Sequence, residues 1–131
     1  MTIWATTRSH RFKAAFAGAG VFNQAAEFET EDDPAGDEWY LGTPWEHPEV
    51  FARNSPSTYI SRAKTPTLIF HGKADAANPV GQSEGLYRAL KHFGIETQLV
   101  LYPNEGHGPR KGSHNVDMFQ RILDWYDGHL K

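Results

Sequence analysis

The chain has 131 residues, of which 39% are hydrophobic and 13% aromatic, and this composition predicts one small packed domain rather than a disordered chain. The net charge of −3 gives no electrostatic basis for binding nucleic acid or an anionic membrane. No apolar run approaches the roughly 18 residues of a membrane-spanning helix, and residues 1–13 do not have the pattern of a signal peptide. Because cysteine is absent, disulfides, thiolate nucleophiles and zinc–thiolate sites are excluded, and a cytoplasmic location is expected.

The first elements along the chain are a helical segment and a strand. Residues 1–10 read either as the end of a helix that starts upstream or as an ordinary N-terminal helical turn, with Arg8 where a cation suits a helix C-terminus. Residues 12–21 are small and apolar and contain Gly18 and Gly20 near their end. This pattern predicts a buried strand, with an alanine-rich helix as the competing interpretation.

The next part of the chain combines short helices with a polar and an aromatic loop. Residues 22–28 are compatible with a short helix, and the acidic, turn-rich residues 29–38 predict a solvated loop, with a site for a cation or a substrate amine as the alternative. The aromatic rings of residues 39–45 are expected to pack this loop onto the body of the domain or, alternatively, to form one wall of a substrate pocket. Residues 46–53, with Pro48 in the first turn, predict another short helix.

A strand–helix–strand unit comes next. Residues 67–70 and 98–102 are short apolar runs that predict buried parallel strands, and residues 80–93 between them have the period of a helix. The final helix, over residues 114–130, has one apolar face made of Phe119, Ile122, Leu123, Tyr126 and Leu130. The sequence therefore predicts an α/β fold with about three parallel strands and helices that cover the sheet.

Two polar residues lie just after the predicted strands of this unit. Asp75 comes shortly after the first strand and His107 after the second, with Gly106 and Gly108 on either side of the histidine. Since parallel strands end at one edge of a sheet, we expect these side chains to meet there. An acid followed by a histidine is the second half of the Ser…Asp…His chain order, in which imidazole is the base and the carboxylate fixes its tautomer.

Two other interpretations of these residues remain open. Asp75 could be an ordinary turn or cap residue, and His107 could simply be an exposed side chain between two glycines. A metal site made by Glu105, His107 and His114 is conceivable, although their spacing fits no helical ligand pair, and no cofactor is expected.

The motifs as a set resemble a known family over nearly the whole chain. The stretches are RFKAAFAGAGV, TEDDP, WYLGTPWEHPEVFARNSP, KTPTLIFHGKAD, PVGQSEGLYRALKHFG, LVLYPNEGHGPRK and RILDWYDGHL. They resemble the C-terminal part of the catalytic domain of the prolyl oligopeptidase family, and especially its acylaminoacyl-peptidase and dipeptidyl-aminopeptidase-like members. The resemblance implies an α/β-hydrolase fold and a serine peptidase that cleaves peptides or acyl-peptides through an acyl-enzyme.

By motif, the resemblance makes Asp75 the triad acid and His107 the triad base. In such relatives the nucleophile lies in a GxSxGGYM-type turn, and MTIWATT resembles the segment directly after that turn, so residues 1–131 are expected to form a partial catalytic domain without the nucleophile segment. None of the six serines of this chain lies in a G-x-S-x-G turn. The sequence also has Ala76, Ala77 and Asn78 where family members often carry an arginine.

Two alternatives to a serine peptidase remain. The chain could be a truncated fragment without catalysis, whose strand at residues 12–21 has an uncovered edge through which copies self-associate. It could also belong to a related esterase or a dienelactone-type hydrolase, because an Asp/His pair does not by itself select amides over esters.

Overall fold

A computed structural model describes residues 1–131. Its centre is a sheet of three parallel strands in the order β1-β2-β3, where β1 is Ala15–Gly18, β2 is Thr67–Gly72 and β3 is Thr97–Tyr102. The central strand β2 is buried along its whole length, as expected for a strand with neighbours on both sides and helices on both faces. The predicted α/β fold with three parallel strands is confirmed.

Six α-helices and one 3₁₀ helix surround the sheet. They are α1 (Thr2–Arg8), α2 (Gln24–Phe28), α3 (Ala35–Leu41), α4 (Pro48–Asn54), the 3₁₀ helix (Pro56–Arg62), α5 (Gly81–His92) and α6 (Gly112–His129). No helix combines the length and the apolar content needed to cross a membrane.

Apolar side chains cover both faces of the sheet, because successive residues of a strand point to opposite sides. On one face, Ile69 is completely buried in a cluster with residues from α1, the 3₁₀ helix and α5; the cluster comprises Ile3, Ala17, Phe22, Ile60, Ala63, Ile69, Leu86, Leu90 and Ile95. On the other face, Leu68 and Phe70 pack with Tyr102 of β3 and Trp125 of α6. The two clusters hold the ends of all three strands in fixed positions.

The first strand is shorter than the predicted residues 12–21. Pairing with β2 covers only Ala15–Gly18, and Ala19 then takes a positive φ of 43°, which ends the extended conformation. The competing interpretation of this stretch as an alanine-rich helix is wrong. The second strand is longer than predicted, since His71 and Gly72 continue its pairing with β3.

The predicted loop over residues 29–38 is wrong for its last four residues. Residues 35–38 form the first turn of α3, which begins after Pro34 and carries Asp37 and Glu38 near its N-terminus. Acidic side chains stabilise the positive end of a helix dipole, so the charge that indicated a loop also favours this turn.

The aromatic segment packs onto the body only in part. Trp39, Tyr40 and Trp45 are 78%, 76% and 70% exposed, and the ring of Trp45 lies edge-to-face against the buried ring of Phe28. The interpretation that these rings pack the loop onto the domain is therefore wrong for Trp39 and Tyr40, whereas Trp45 does contact the core.

The final helix buries a face that shares Ile122 with the predicted one but is centred on Trp125. Phe119 and Leu123 are 60% exposed, whereas Trp125 is buried and Met118 and Ile122 pack beside it. The helix has apolar residues on two sides, at spacings of three and four in each case, and periodicity alone does not say which side meets the sheet. The bulk of Trp125 fills the space over β2 and β3.

A close backbone contact brings the loop after β3 to the end of β2. The amide of Lys73 donates to the carbonyl of Tyr102 at 2.9 Å, and the amide of Ala74 donates to the carbonyl of Glu105 at 2.9 Å. A Cβ atom at Gly72 would overlap the carbonyl oxygens of Glu105 and Gly106. Only glycine permits this approach, which joins the segments that come after two neighbouring strands.

We expect Gly72→Ala to lower the free energy of unfolding by about 1–3 kcal/mol, because the added methyl group has to displace backbone atoms. Urea unfolding of the 131-residue chain measures this change. Gly81→Ala is the matched control, since a Cβ at Gly81 meets no atom within 4 Å and alanine is the better helix former. Equal stability of the two variants would contradict the close contact at Gly72.

Candidate active site

Asp75 lies in the tight turn after β2. Its own amide donates to the carbonyl of Gly72 at 3.2 Å, and its Oδ1 accepts the amide of Asn78 at 3.0 Å. The side chain of Asp75 has no exposed surface. Burying an ionised carboxylate without hydrogen-bond partners would cost several kcal/mol, and such a group would take up a proton instead. The hydrogen bonds of Asp75 therefore determine how its side chain is held.

His107 lies in the loop after β3, as predicted, and meets Asp75. The Nδ1 atom of His107 is 3.1 Å from Oδ2 of Asp75. Because an ionised carboxylate only accepts hydrogen bonds, Nδ1 carries the proton in this contact, and Nε2 is left as the basic nitrogen. The side chain of His107 is 60% exposed, in contrast to its buried partner. The predicted pairing of Asp75 and His107 is therefore present in the structure.

A cavity of about 410 Å³ opens beside His107 at the carboxyl edge of the sheet. Phe16, Phe70 and Tyr102 give it an apolar wall, and Thr2 of α1 also lines it. None of the six serines of the chain lines this cavity, and neither do the aromatic residues of the segment 39–45. The pocket is therefore built from the strand ends and α1 together with the histidine loop.

Glu105 fixes the shape of the histidine loop, a role that the sequence did not reveal. Its buried carboxylate accepts the amides of Arg110 and Lys111 at 2.8 and 3.0 Å, and its Oε1 lies 2.6 Å from Nδ1 of His114. The hydrogen bond from Arg110, followed by that from His114, holds the pKa of Glu105 below its usual range. Glu105 thus ties the residues after His107 back to the residues before it.

The conceivable metal site at Glu105, His107 and His114 is not formed. Glu105 is paired with His114, whereas the Nδ1 atom of His107 is held by Asp75, and the three side chains do not come together as one set of ligands. The interpretation of these three residues as metal ligands is wrong.

Asn78 connects the acid to the first strand. Besides donating its amide to Asp75, it donates from Nδ2 to the carbonyl of Ala19 at 2.6 Å. Ala19 is the residue with positive φ at the end of β1, so one side chain links the ends of two strands. In the sequence, Asn78 is distinguished only as part of the segment that follows Asp75, and its partners could not be read from it.

A second group of carboxylates lies away from this cavity. Ligand atoms of Glu27, Glu31 and Asp37 all lie within 4.8 Å of one another, which makes these residues the set that could hold a metal ion. Burial, followed by the charges of Glu31 and Asp37, raises the pKa of Glu27 to about 8. At neutral pH the carboxyl group of Glu27 is therefore mainly protonated, and the net charge of the cluster is reduced.

Comparison with known proteins gives one consistent result. The model of the prolyl oligopeptidase family matches residues 1–131. The chain is 34% identical to the peptidase YuxL of Bacillus subtilis, described as uncharacterized, over 99% of this chain and 20% of that protein. It is 29% identical to dipeptidyl-peptidase 5 of Porphyromonas gingivalis, over 92% of this chain and 18% of that protein.

The fold is similar to those of solved peptidases. The acylaminoacyl peptidase of Pyrococcus horikoshii superimposes with a TM-score of 0.91 at 25% identity, over 98% of this chain and 22% of the other. A puromycin-hydrolyzing peptidase of Mycobacterium tuberculosis gives a TM-score of 0.90 at 25% identity, over 98% of this chain and 20% of the other. The chain spans about a fifth of the length of the relatives it matches.

The raised pKa of Glu27 predicts a pH-dependent stability. Between the ordinary pKa of 4.5 and about 8, the unfolded chain releases this proton while the folded chain keeps it, so stability falls as pH rises through that range. We expect Glu27→Gln to remove this loss, so that it gains at least about 1 kcal/mol over the wild type between about pH 5 and pH 8.

Urea unfolding of the 131-residue chain at several pH values measures this difference. Glu29→Gln is the control, because it makes the same amino-acid substitution at an exposed position. A wild-type minus Glu27→Gln difference that does not depend on pH would contradict the buried, protonated state of Glu27.

Proposed function

This chain belongs to the prolyl oligopeptidase family, and on that premise we propose that it supplies the acid and the base of a Ser-Asp-His triad that hydrolyses peptide bonds. Asp75 is the proposed acid and His107 the proposed base. The observation that carries the proposal is their contact of 3.1 Å between a buried carboxylate and an exposed imidazole beside a cavity.

The chemistry depends on the two ring nitrogens of His107. Nδ1–H is engaged by Asp75, so Nε2 is available to take the proton of a serine hydroxyl as its oxygen attacks the carbonyl carbon of the substrate. The carboxylate stabilises the imidazolium that forms. Nε2 then returns the proton to the leaving amine, and a water molecule, activated by the same base, hydrolyses the acyl-enzyme.

The proposal assigns the nucleophile to a residue outside these 131 residues. In support, no serine of the chain lines the cavity with His107, and Ser83 is instead buried against another histidine. Thr2 lines the same cavity, so residues adjoining the start of α1 have access to the base. Residues 1–131 are accordingly proposed as part of a catalytic domain, inactive by itself.

The proposed substrates are peptides or acyl-peptides. Family membership supports the peptide class, and relatives named acylaminoacyl peptidase and dipeptidyl-peptidase support peptides and acyl-peptides as candidates. A cytoplasmic location stays a prediction.

A complete protein that contains this chain tests the triad. We expect His107→Ala to lower kcat/KM for a peptide substrate by about a thousandfold or more, since loss of a triad member removes the base. His92→Ala is the control, because this histidine is exposed on α5, away from the cavity. Full activity of His107→Ala would overturn the proposal.

The isolated 131-residue chain provides a second test of the proposed triad. A fluorophosphonate probe is expected to label the complete protein and to leave the isolated chain unlabelled. Labelling of the isolated chain at a stoichiometric level would show that the nucleophile lies within it and would contradict this part of the proposal.

Self-association of the isolated chain is a further prediction, because β1 has a neighbouring strand on one side only. Light scattering is expected to give a mean mass that rises with concentration. Phe12→Lys adds a charge just before β1 and should favour the monomer, while Phe93→Lys, at a residue of similar exposure at the end of α5, should not. A monomer at every concentration would exclude pairing through this edge.

A further inference from the structure

Asp75 contacts a second histidine that the proposed triad does not use. His71, in β2, has a completely buried side chain, and its Nε2 lies 3.2 Å from Oδ2 of Asp75. The same oxygen lies 3.1 Å from Nδ1 of His107. One buried carboxylate oxygen therefore contacts two imidazole rings, one from the central strand of the sheet and one from the loop after β3.

The contacts of His71 define its tautomer. Its Nε2 is 2.6 Å from the carbonyl oxygen of Asn78, which can only accept, so Nε2 carries a proton. Its Nδ1 is 2.6 Å from the hydroxyl of Ser83 on α5, which is also buried. A ring with the proton on Nε2 satisfies these contacts: Nε2–H donates to the carbonyl of Asn78, Nδ1 pairs with the hydroxyl of Ser83, and Oδ2 of Asp75 lies 3.2 Å from the same Nε2.

The position of His71 suits it to hold the acid in place. It belongs to the central strand, which is buried along its whole length, whereas Asp75 lies in a turn. Its Nε2–H donates to the carbonyl of Asn78 and lies 3.2 Å from Oδ2 of Asp75, so the ring contacts both the acid and the residue that closes its turn. A carboxylate held in this way presents Oδ2 to His107 without having to reorient.

We infer that His71 is a positioning residue for the proposed triad: oriented by Ser83, it holds the carboxylate of Asp75 so that Oδ2 selects the Nδ1–H tautomer of His107. The geometry concerns this chain alone. Its consequence for catalysis rests on the proposed function, and the experiment separates the two.

Nitrogen NMR of the imidazole rings in the 131-residue chain tests the geometry, because the ¹⁵N shifts of a neutral histidine report which nitrogen carries the proton. We expect His107 to be the Nδ1–H tautomer in the wild type. His71→Met, which fills similar space without a donor, should shift His107 toward the Nε2–H tautomer. His71→Gln, whose amide can still donate near the position of Nε2, should retain Nδ1–H.

Ser83→Ala makes the test independent of substitutions at His71. It removes only the hydroxyl that orients the ring, and it is expected to shift His107 in the same direction as His71→Met, by a smaller amount. A folded His71→Met chain with an unchanged His107 tautomer would overturn the inference. If His71→Met does not fold, unchanged His107 signals in Ser83→Ala would overturn it instead.

Kinetics of the complete protein test the consequence. We expect His71→Met to lower kcat by about ten- to a hundredfold with little change in KM, and His71→Gln to restore part of the loss. A shifted tautomer with an unchanged kcat would leave the positioning of Asp75 established and would contradict the proposed triad. An unshifted tautomer with a reduced kcat would overturn the role of His71 and leave the triad intact.

Discussion

A buried carboxylate is the constraint on which the candidate site depends. Removing Asp75 from water is unfavourable unless its oxygens have polar partners. The amide of Asn78 and the ring of His107 are hydrogen-bonded to it, and the ring of His71 lies 3.2 Å from Oδ2. These groups come from the turn after β2, from β2 itself and from the loop after β3. The requirement to satisfy one carboxylate therefore brings together three segments that are up to 36 residues apart in sequence, from His71 to His107.

Backbone contacts make this convergence possible. The loop after β3 reaches Asp75 only because Gly72 lets the carbonyls of Glu105 and Gly106 pass close to the end of β2. Glu105 then binds two amides and a histidine of the same loop, which restricts the conformations open to His107. The loop that carries His107 is thus held by contacts before and after the histidine. The exposed ring of His107 itself lines the cavity.

The parts of the fold that could be predicted are those set by local pattern. The strand β2, the helix α5 and the strand β3 are indicated by short apolar runs and a helical period between them. The first turn of α3 was missed because its acidic residues also suit a loop, and the buried side of α6 was misassigned because Trp125 competes with Phe119 and Leu123 on another side of the helix. For α6, packing against distant residues decided the outcome, and local pattern does not contain that information. For α3, the same acidic residues favour either a loop or a helix N-terminus, and no buried residue distinguishes the two.

Some residues of the candidate site could likewise be predicted from the sequence, and others could not. Asp75 and His107 could be found because chain order and position after a strand are readable from the sequence, and parallel strands bring such residues to one edge. The supporting residues could not, since Glu105 binds mainly backbone amides and Asn78 reaches Ala19, 59 residues away in sequence. His71 lies just after the predicted strand at residues 67–70 and had no predicted role, and only its distances to Asp75 and Ser83 reveal one.

The exposed features of the site lie at the carboxyl edge of the sheet, where the ends of all three strands meet. The ring of His107, the start of α1 at Thr2 and the end of β1 at Gly18 and Ala19 line one cavity. A nucleophile that reached His107 from outside these 131 residues would enter between α1 and the strand ends. There it would meet a base whose acid is already fully bonded. Under the proposed function, the chain would contribute an acid–base pair whose geometry is already set by Asn78 and His71, and the hydroxyl group would have to approach the Nε2 atom of His107 through this cavity.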